Sequence, residues 1–93
     1  MQEKTVTVQL QYPVTLPDRK LTEITLRRPT LGDNLKCGQD GSVEKEVLLI
    51  ALLTGLTRED LILLDMLDYR KLQDEILRFQ GLDPEEVRQK FGV

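Results

Sequence analysis

The sequence predicts an α+β domain over residues 1–93, an N-terminal antiparallel β-hairpin followed by a bundle of three to four short helices. Three observations carry that expectation. Apolar and polar residues alternate strictly over 5–12. Capping residues punctuate a leucine-rich stretch over 43–67. Residues 69–80 place their apolar side chains on one helical face.

The hairpin is expected over 5–28. Val6, Val8, Leu10 and Tyr12 fall on one side of an extended chain, and Thr5, Thr7, Gln9 and Gln11 on the other. That period of two marks a half-buried strand. Pro13, Pro17 and Asp18 break it. A second strand follows over 21–28, with Ile24 and Leu26 inward and Glu23, Thr25 and Arg27 outward. The short loop between the strands favours antiparallel pairing. Two strands alone are marginal in water, so the hairpin needs helices or a partner's sheet against it.

The helical part is expected over 30–80. Pro29 stops the second strand. Thr30 followed by Asp33 resembles a helix cap, which predicts a short helix over 31–36. Residues 38–41, with Gln39 and Asp40, read as a loop. Ser42 is a good N-cap because its hydroxyl can satisfy an orphan amide of the first turn. Glu44 and Glu46 suit the positive end of the helix dipole. That helix runs to Thr54 and stops at Gly55. After its first turn it is apolar all round, which predicts burial on every side. Thr57 and Asp60 repeat the cap pattern ahead of a second apolar segment. Asp68 reads as the N-cap of an amphipathic helix over 69–80, in which Tyr69, Leu72, Ile76 and Phe79 share a face and Asp74 can pair with Arg78. Gly81 ends it. Asp83, Pro84 and Glu86 open a last short helix or tail over 83–92.

Composition narrows the function. The chain has no His and a single Cys, Cys37. Nucleophilic pairs that need His are excluded, as are a structural zinc site and an intrachain disulfide. No glycine-rich phosphate loop is present. Asp65 and Asp68 lie three apart and could share a face as a carboxylate pair. The plainer reading is that they cap and solvate the edge of an apolar segment. No enzyme activity and no cofactor are expected.

The net charge of −3 is unevenly spread. Residues 1–37 carry six basic and four acidic groups; residues 38–93 carry seven basic and twelve acidic groups. The helical part would therefore repel a phosphate backbone. Ala51, Gly55, Leu61 and Leu64 fall near helix-turn-helix spacing, but the groove-entering helix would start Arg58-Glu59-Asp60, with two anions and no base-reading amide. No nucleic-acid partner is expected. The longest apolar run, 47–53, is too short to span a bilayer, and the N-terminus lacks the pattern of a signal peptide. A soluble cytoplasmic protein, with no membrane partner, is the expectation.

Fifteen of the twenty-five residues over 43–67 are Val, Leu, Ile, Met or Ala. Two readings stay open. The two apolar segments pack on each other and leave no patch, or part of them forms an exposed apolar face for a partner helix or a second copy of the chain. Leu56, Leu61, Leu64 and Leu67 are the candidate lining of such a groove. Met66 would suit an adaptable surface there. Arg27 and Arg28, at a strand end, are either a partner site or a solvated edge.

Three pieces of the chain carry a family resemblance. They are Ile24-Thr25-Leu26-Arg27-Arg28-Pro29-Thr30 with Asp33, then Leu53-Thr54-Gly55-Leu56 with Glu59 and Leu61, and Leu64-Asp65 with Asp68-Tyr69, Leu72 and Phe79. In this order they resemble the small tail assembly chaperones of long-tailed phages, particularly Mu-like phages and prophages. The resemblance covers roughly 5–80, and the segment after Gly81 is expected to be an addition. It implies a non-catalytic protein that binds the tape measure protein, keeps it soluble, helps recruit tail tube protein around it, and is absent from the mature virion. A leucine-lined groove with acidic surroundings would suit that role, and Leu61→Asp or Leu64→Asp is expected to weaken client binding. The alternative is a generic adaptor or homo-oligomeric interaction module without chaperone activity.

Overall fold

A computed structural model describes residues 5–37 and 42–91. Strands β1 (Thr5–Thr15) and β2 (Lys20–Arg27) form an antiparallel hairpin. Helices α1 (Leu31–Cys37), α2 (Val43–Thr54), α3 (Arg58–Leu61), α4 (Met66–Phe79) and α5 (Pro84–Phe91) follow. The α+β expectation holds. The 38–41 loop lies outside the described residues.

β1 does not end at Pro13 as expected. The pairing shifts between Gln9 and Val14: β1 has four residues between its partners where β2 has only Thr22. A bulge of this kind releases backbone groups from the ladder and bends the strand. Pro13, lacking an N–H, is tolerated within it. The bulge also breaks the expected alternation. Val8 and Leu10 are buried, but Tyr12 turns outward and is 55% exposed.

The inner face of the hairpin carries Val8, Leu10, Leu21, Ile24 and Leu26, with Leu16 from the turn. Ile50 and Leu53 of α2, Leu61 of α3, and Tyr69, Leu72 and Ile76 of α4 complete one core. α4 packs against β1, α2 against β2, and α1 against α2. A marginal two-stranded sheet thus gains its stability from helices on one face.

Several helix ends follow the sequence closely. The Ser42 hydroxyl accepts the Lys45 N–H. Gly55 closes α2 in the left-handed conformation, φ 77°, where a side chain would be strained. Gly81, φ 79°, ends α4: its N–H reaches Arg78 C=O and the Leu82 N–H reaches Leu77 C=O, the paired bonds of a Schellman motif. Thr30 and Asp33 cap α1 reciprocally, Asp33 accepting the Thr30 N–H at 2.8 Å and the Thr30 hydroxyl accepting the Asp33 N–H.

Two expectations about α4 are corrected. Its N-cap is Asp65, whose carboxylate accepts the Leu67 N–H, and Met66 and Leu67 form its first turn. Asp74 pairs with Arg88 of α5 at 2.6 and 2.8 Å, while Arg78 turns to Glu75. The Asp74–Arg88 fork fastens α5 to α4. α2 also departs from the reading of burial on every side. Past its first turn, Ile50 and Leu53 are buried, Leu49 and Leu52 half-buried, and Leu48 exposed.

Candidate functional site

Two buried carboxylates organise the hairpin–helix junctions. Asp33 takes a two-point contact from the Arg27 guanidinium at 2.7 and 2.8 Å while capping α1. Arg27 and the Thr30 amide hold the Asp33 carboxyl well below the usual range. The second is Asp68, with no exposed surface, in the first turn of α4. It accepts the Gln11 and Tyr12 amides, at 2.8 and 2.9 Å, that the β1 bulge has freed. Burial alone would raise its pKa; the two amides and Lys71 outweigh that and lower it. Asp68 therefore does not solvate the edge of the apolar segment. It is the bond between β1 and α4.

Arg28, although exposed, is also tied to α4. Its guanidinium lies 5.6 Å from the Phe79 ring centre and donates to Phe79 C=O at 3.2 Å. Both arginines singled out as partner residues hold internal contacts, so the structure ties them first to the strand–helix junction.

The remaining candidates divide by exposure. Leu61 is 3% exposed and belongs to the core. Leu56 and Leu64 are half-buried and pack against that core. Met66 and Leu67 are 66% and 50% exposed, and Ile62 and Leu63, missed in the sequence reading, are 57% and 56% exposed. Over six consecutive residues, 62–67, four large apolar side chains therefore face solvent.

The local sequence explains this corner. Thr57 caps α3, its hydroxyl accepting the Asp60 N–H. Asp65 then caps α4 only four residues after α3 ends. Two caps so close leave no length for a continuous helix, and 62–64 pass through a turn in which Leu63 and Leu64 N–H bond to Asp60 and Leu61 C=O. Leu61 points into the core and its neighbours point out. The missed signal was the pair of caps, Thr57 and Asp65, bracketing the apolar run. The segment starting at Arg58 forms only the single turn of α3.

Met66 lies at the rim of an adjoining open groove of about 650 Å³ between α2, α4 and α5. Leu49, Ile76, Leu77 and Val87 supply its apolar wall. On the polar side Glu46 accepts the Tyr69 hydroxyl and, at 2.7 Å, the Gln73 amide. Burial, then the bond to Glu46, raises the Tyr69 pKa. Acidic Glu59, Asp60 and Asp65 flank the exposed corner in sequence. An apolar surface beside an open groove with acidic flanks can hold an amphipathic segment; among the described residues no cluster of metal-ligating side chains is assembled. Nor is any described helix long and apolar enough to cross a membrane.

Comparison with known proteins gives one finding. Residues 7–87 match the family described as phage tail assembly chaperone proteins, E, or 41 or 14. The match runs past Gly81 into α5, so the first half of the segment expected to be an addition, residues 82–87, lies within the family region. No curated protein and no solved structure matches the chain. The family has a non-catalytic role in tail assembly and interacts with tail proteins. With the match extending from the hairpin into the last helix, the chain belongs to the phage tail assembly chaperone family.

Proposed function

We propose that this chaperone binds the tape measure protein through the α3–α4 corner and keeps it soluble in the host cytoplasm while the tail tube assembles around it. The observation that carries this reading is the exposure of Ile62, Leu63, Met66 and Leu67 beside an open apolar-walled groove. A long tape measure presents apolar helical stripes before assembly, and an amphipathic helix laid on such a surface buries them in the helix-in-groove manner. Leu56 and Leu64 support the surface from beneath, and Asp60 and Asp65 favour basic flanks on the client.

Co-expression with the tape measure protein of the same genome tests the reading. The wild type is expected to keep the client soluble and co-purify with it. Met66→Asp/Leu67→Asp is expected to fold and lose both effects. A folded double variant that still rescues the client would place the binding surface elsewhere. A folded wild type that rescues nothing would favour a generic adaptor.

A further inference from the structure

The two edges of the hairpin are treated differently. On β1, α4 supplies partners: Asp68 accepts the Gln11 and Tyr12 amides, and Lys71 donates to Gln9 C=O at 3.2 Å. On β2, among the described residues, no group from outside the hairpin is hydrogen-bonded to the backbone of 21–26. In a two-stranded ladder alternate residues turn their N–H and C=O away from the partner strand. β2 thus offers a regular edge, without the bulge and buried carboxylate that close β1.

We propose that the β2 edge pairs antiparallel with β2 of a second copy of this chain, making a continuous four-stranded sheet. The side chains of β2 select that occupant. Glu23, Thr25 and Arg27 share its outer face. Placing the two-fold axis at Thr25 sets Thr25 opposite its own copy, and Glu23 of each chain opposite Arg27 of the other. Both ion pairs form at once, as an isologous contact requires. Opposite charges directly across two strands stabilise the pairing, and like charges oppose it. Both partners have contacts within the chain and capacity beyond them. Arg27 Nη1 and Nη2 hold Asp33, Nη1 also donates to Arg28 C=O, and Nε makes none of these bonds. Glu23 Oε1 accepts from Gln9 Nε2, and Oε2 makes no such bond. Ile24 faces Leu26 of the second copy on the inner side, extending the apolar face. This interface lies apart from the α3–α4 corner.

The test combines sedimentation with cross-linking. The wild type is expected to show concentration-dependent dimerisation. Glu23→Lys sets two like-charged pairs across the axis and should weaken the dimer about tenfold or more; Glu23→Gln should fall between. In a Cys37→Ala background, Thr25→Cys places two thiols on directly opposed residues, about 4.5–5.5 Å apart at Cα, within disulfide reach. Lys20→Cys is the control, because this register separates the two copies of residue 20 by roughly 33 Å. Rapid oxidation of Thr25→Cys alone to a disulfide dimer, together with weakening by Glu23→Lys, supports the proposal. A wild type that stays monomeric at high concentration overturns it, as does a dimer indifferent to Glu23→Lys in which both cysteines cross-link alike. Protection of β2 amides only on adding the tape measure protein would assign the edge to the client instead.

Discussion

α2 and the α3–α4 corner are both leucine-rich, yet Ile50 and Leu53 of α2 are buried while Ile62, Leu63, Met66 and Leu67 face solvent. The difference lies in neighbours, not in composition. α2 has β2, α1 and α3 against it. The corner is one helical turn and a bend between two caps, with Leu61 in the core and Leu64 half-buried against it. An apolar run is buried when its elements are long enough to present a face to other elements. When caps at Thr57 and Asp65 chop it short, part of it is left outside.

The sharpest way to break this comparison is to exchange the fates of neighbouring residues. Leu61→Ala should destabilise the fold by about 2–5 kcal/mol through lost burial and a residual cavity, measured by urea denaturation. Leu61→Asp should prevent folding, so its effect on client binding carries no information about the surface. Leu63→Ala, two residues on, should change stability by no more than about 0.5 kcal/mol. Equal losses at the two positions would refute the division between core and corner.

Next in size is the buried joint beside the corner. Asp68→Ala leaves the part-buried Gln11 and Tyr12 amides without their acceptor, at a cost of about 1 kcal/mol for each bond lost. Hydrogen exchange at these two amides should accelerate before that of the β2 ladder. Asp68→Asn retains an acceptor oxygen and should lose less.

The pH response sharpens the same contrast. Asp33 and Asp68 both have folded-state pKa values below the ordinary carboxylate value. Their contribution is present above about pH 3.9 and is lost as pH falls through the folded values. Stability should therefore drop on acidification below about pH 4, and Asp68→Asn should flatten part of that drop. Tyr69 is the opposite case. Its raised pKa gives a contribution present below about pH 10 and lost as pH rises through the folded value, so Tyr69→Phe should reduce the alkaline dependence. Exposed corner residues should leave both limbs unchanged.

The sequence made most of the architecture legible because most of it is set locally. The alternation around Val8 and Leu10, the caps at Thr30, Ser42 and Thr57, the left-handed glycines Gly55 and Gly81, and the face of Leu72 and Ile76 all act within a few residues. What escaped depends on distant partners. Asp68 reads locally as a solvated cap, because the amides it holds lie 57 and 56 residues away. Pro13 reads locally as the end of β1, because the bulge that tolerates proline is a property of the pair of strands. Spacing pairs Asp74 with Arg78, one helical turn away, whereas its partner Arg88 comes from the next helix. At the candidate surface, composition does not separate buried Leu61 from exposed Met66 and Leu67, and the exposure of Ile62 and Leu63 depends on the turn between α3 and α4.

The most direct test of the central claim is the soluble fraction of the co-expressed tape measure protein, compared between the wild type and a folded Ile62→Asp/Leu67→Asp variant. The account predicts a soluble, co-purifying client with the wild type and an insoluble client with the variant, at unchanged thermal stability of the chaperone. Full rescue by the folded variant would contradict it.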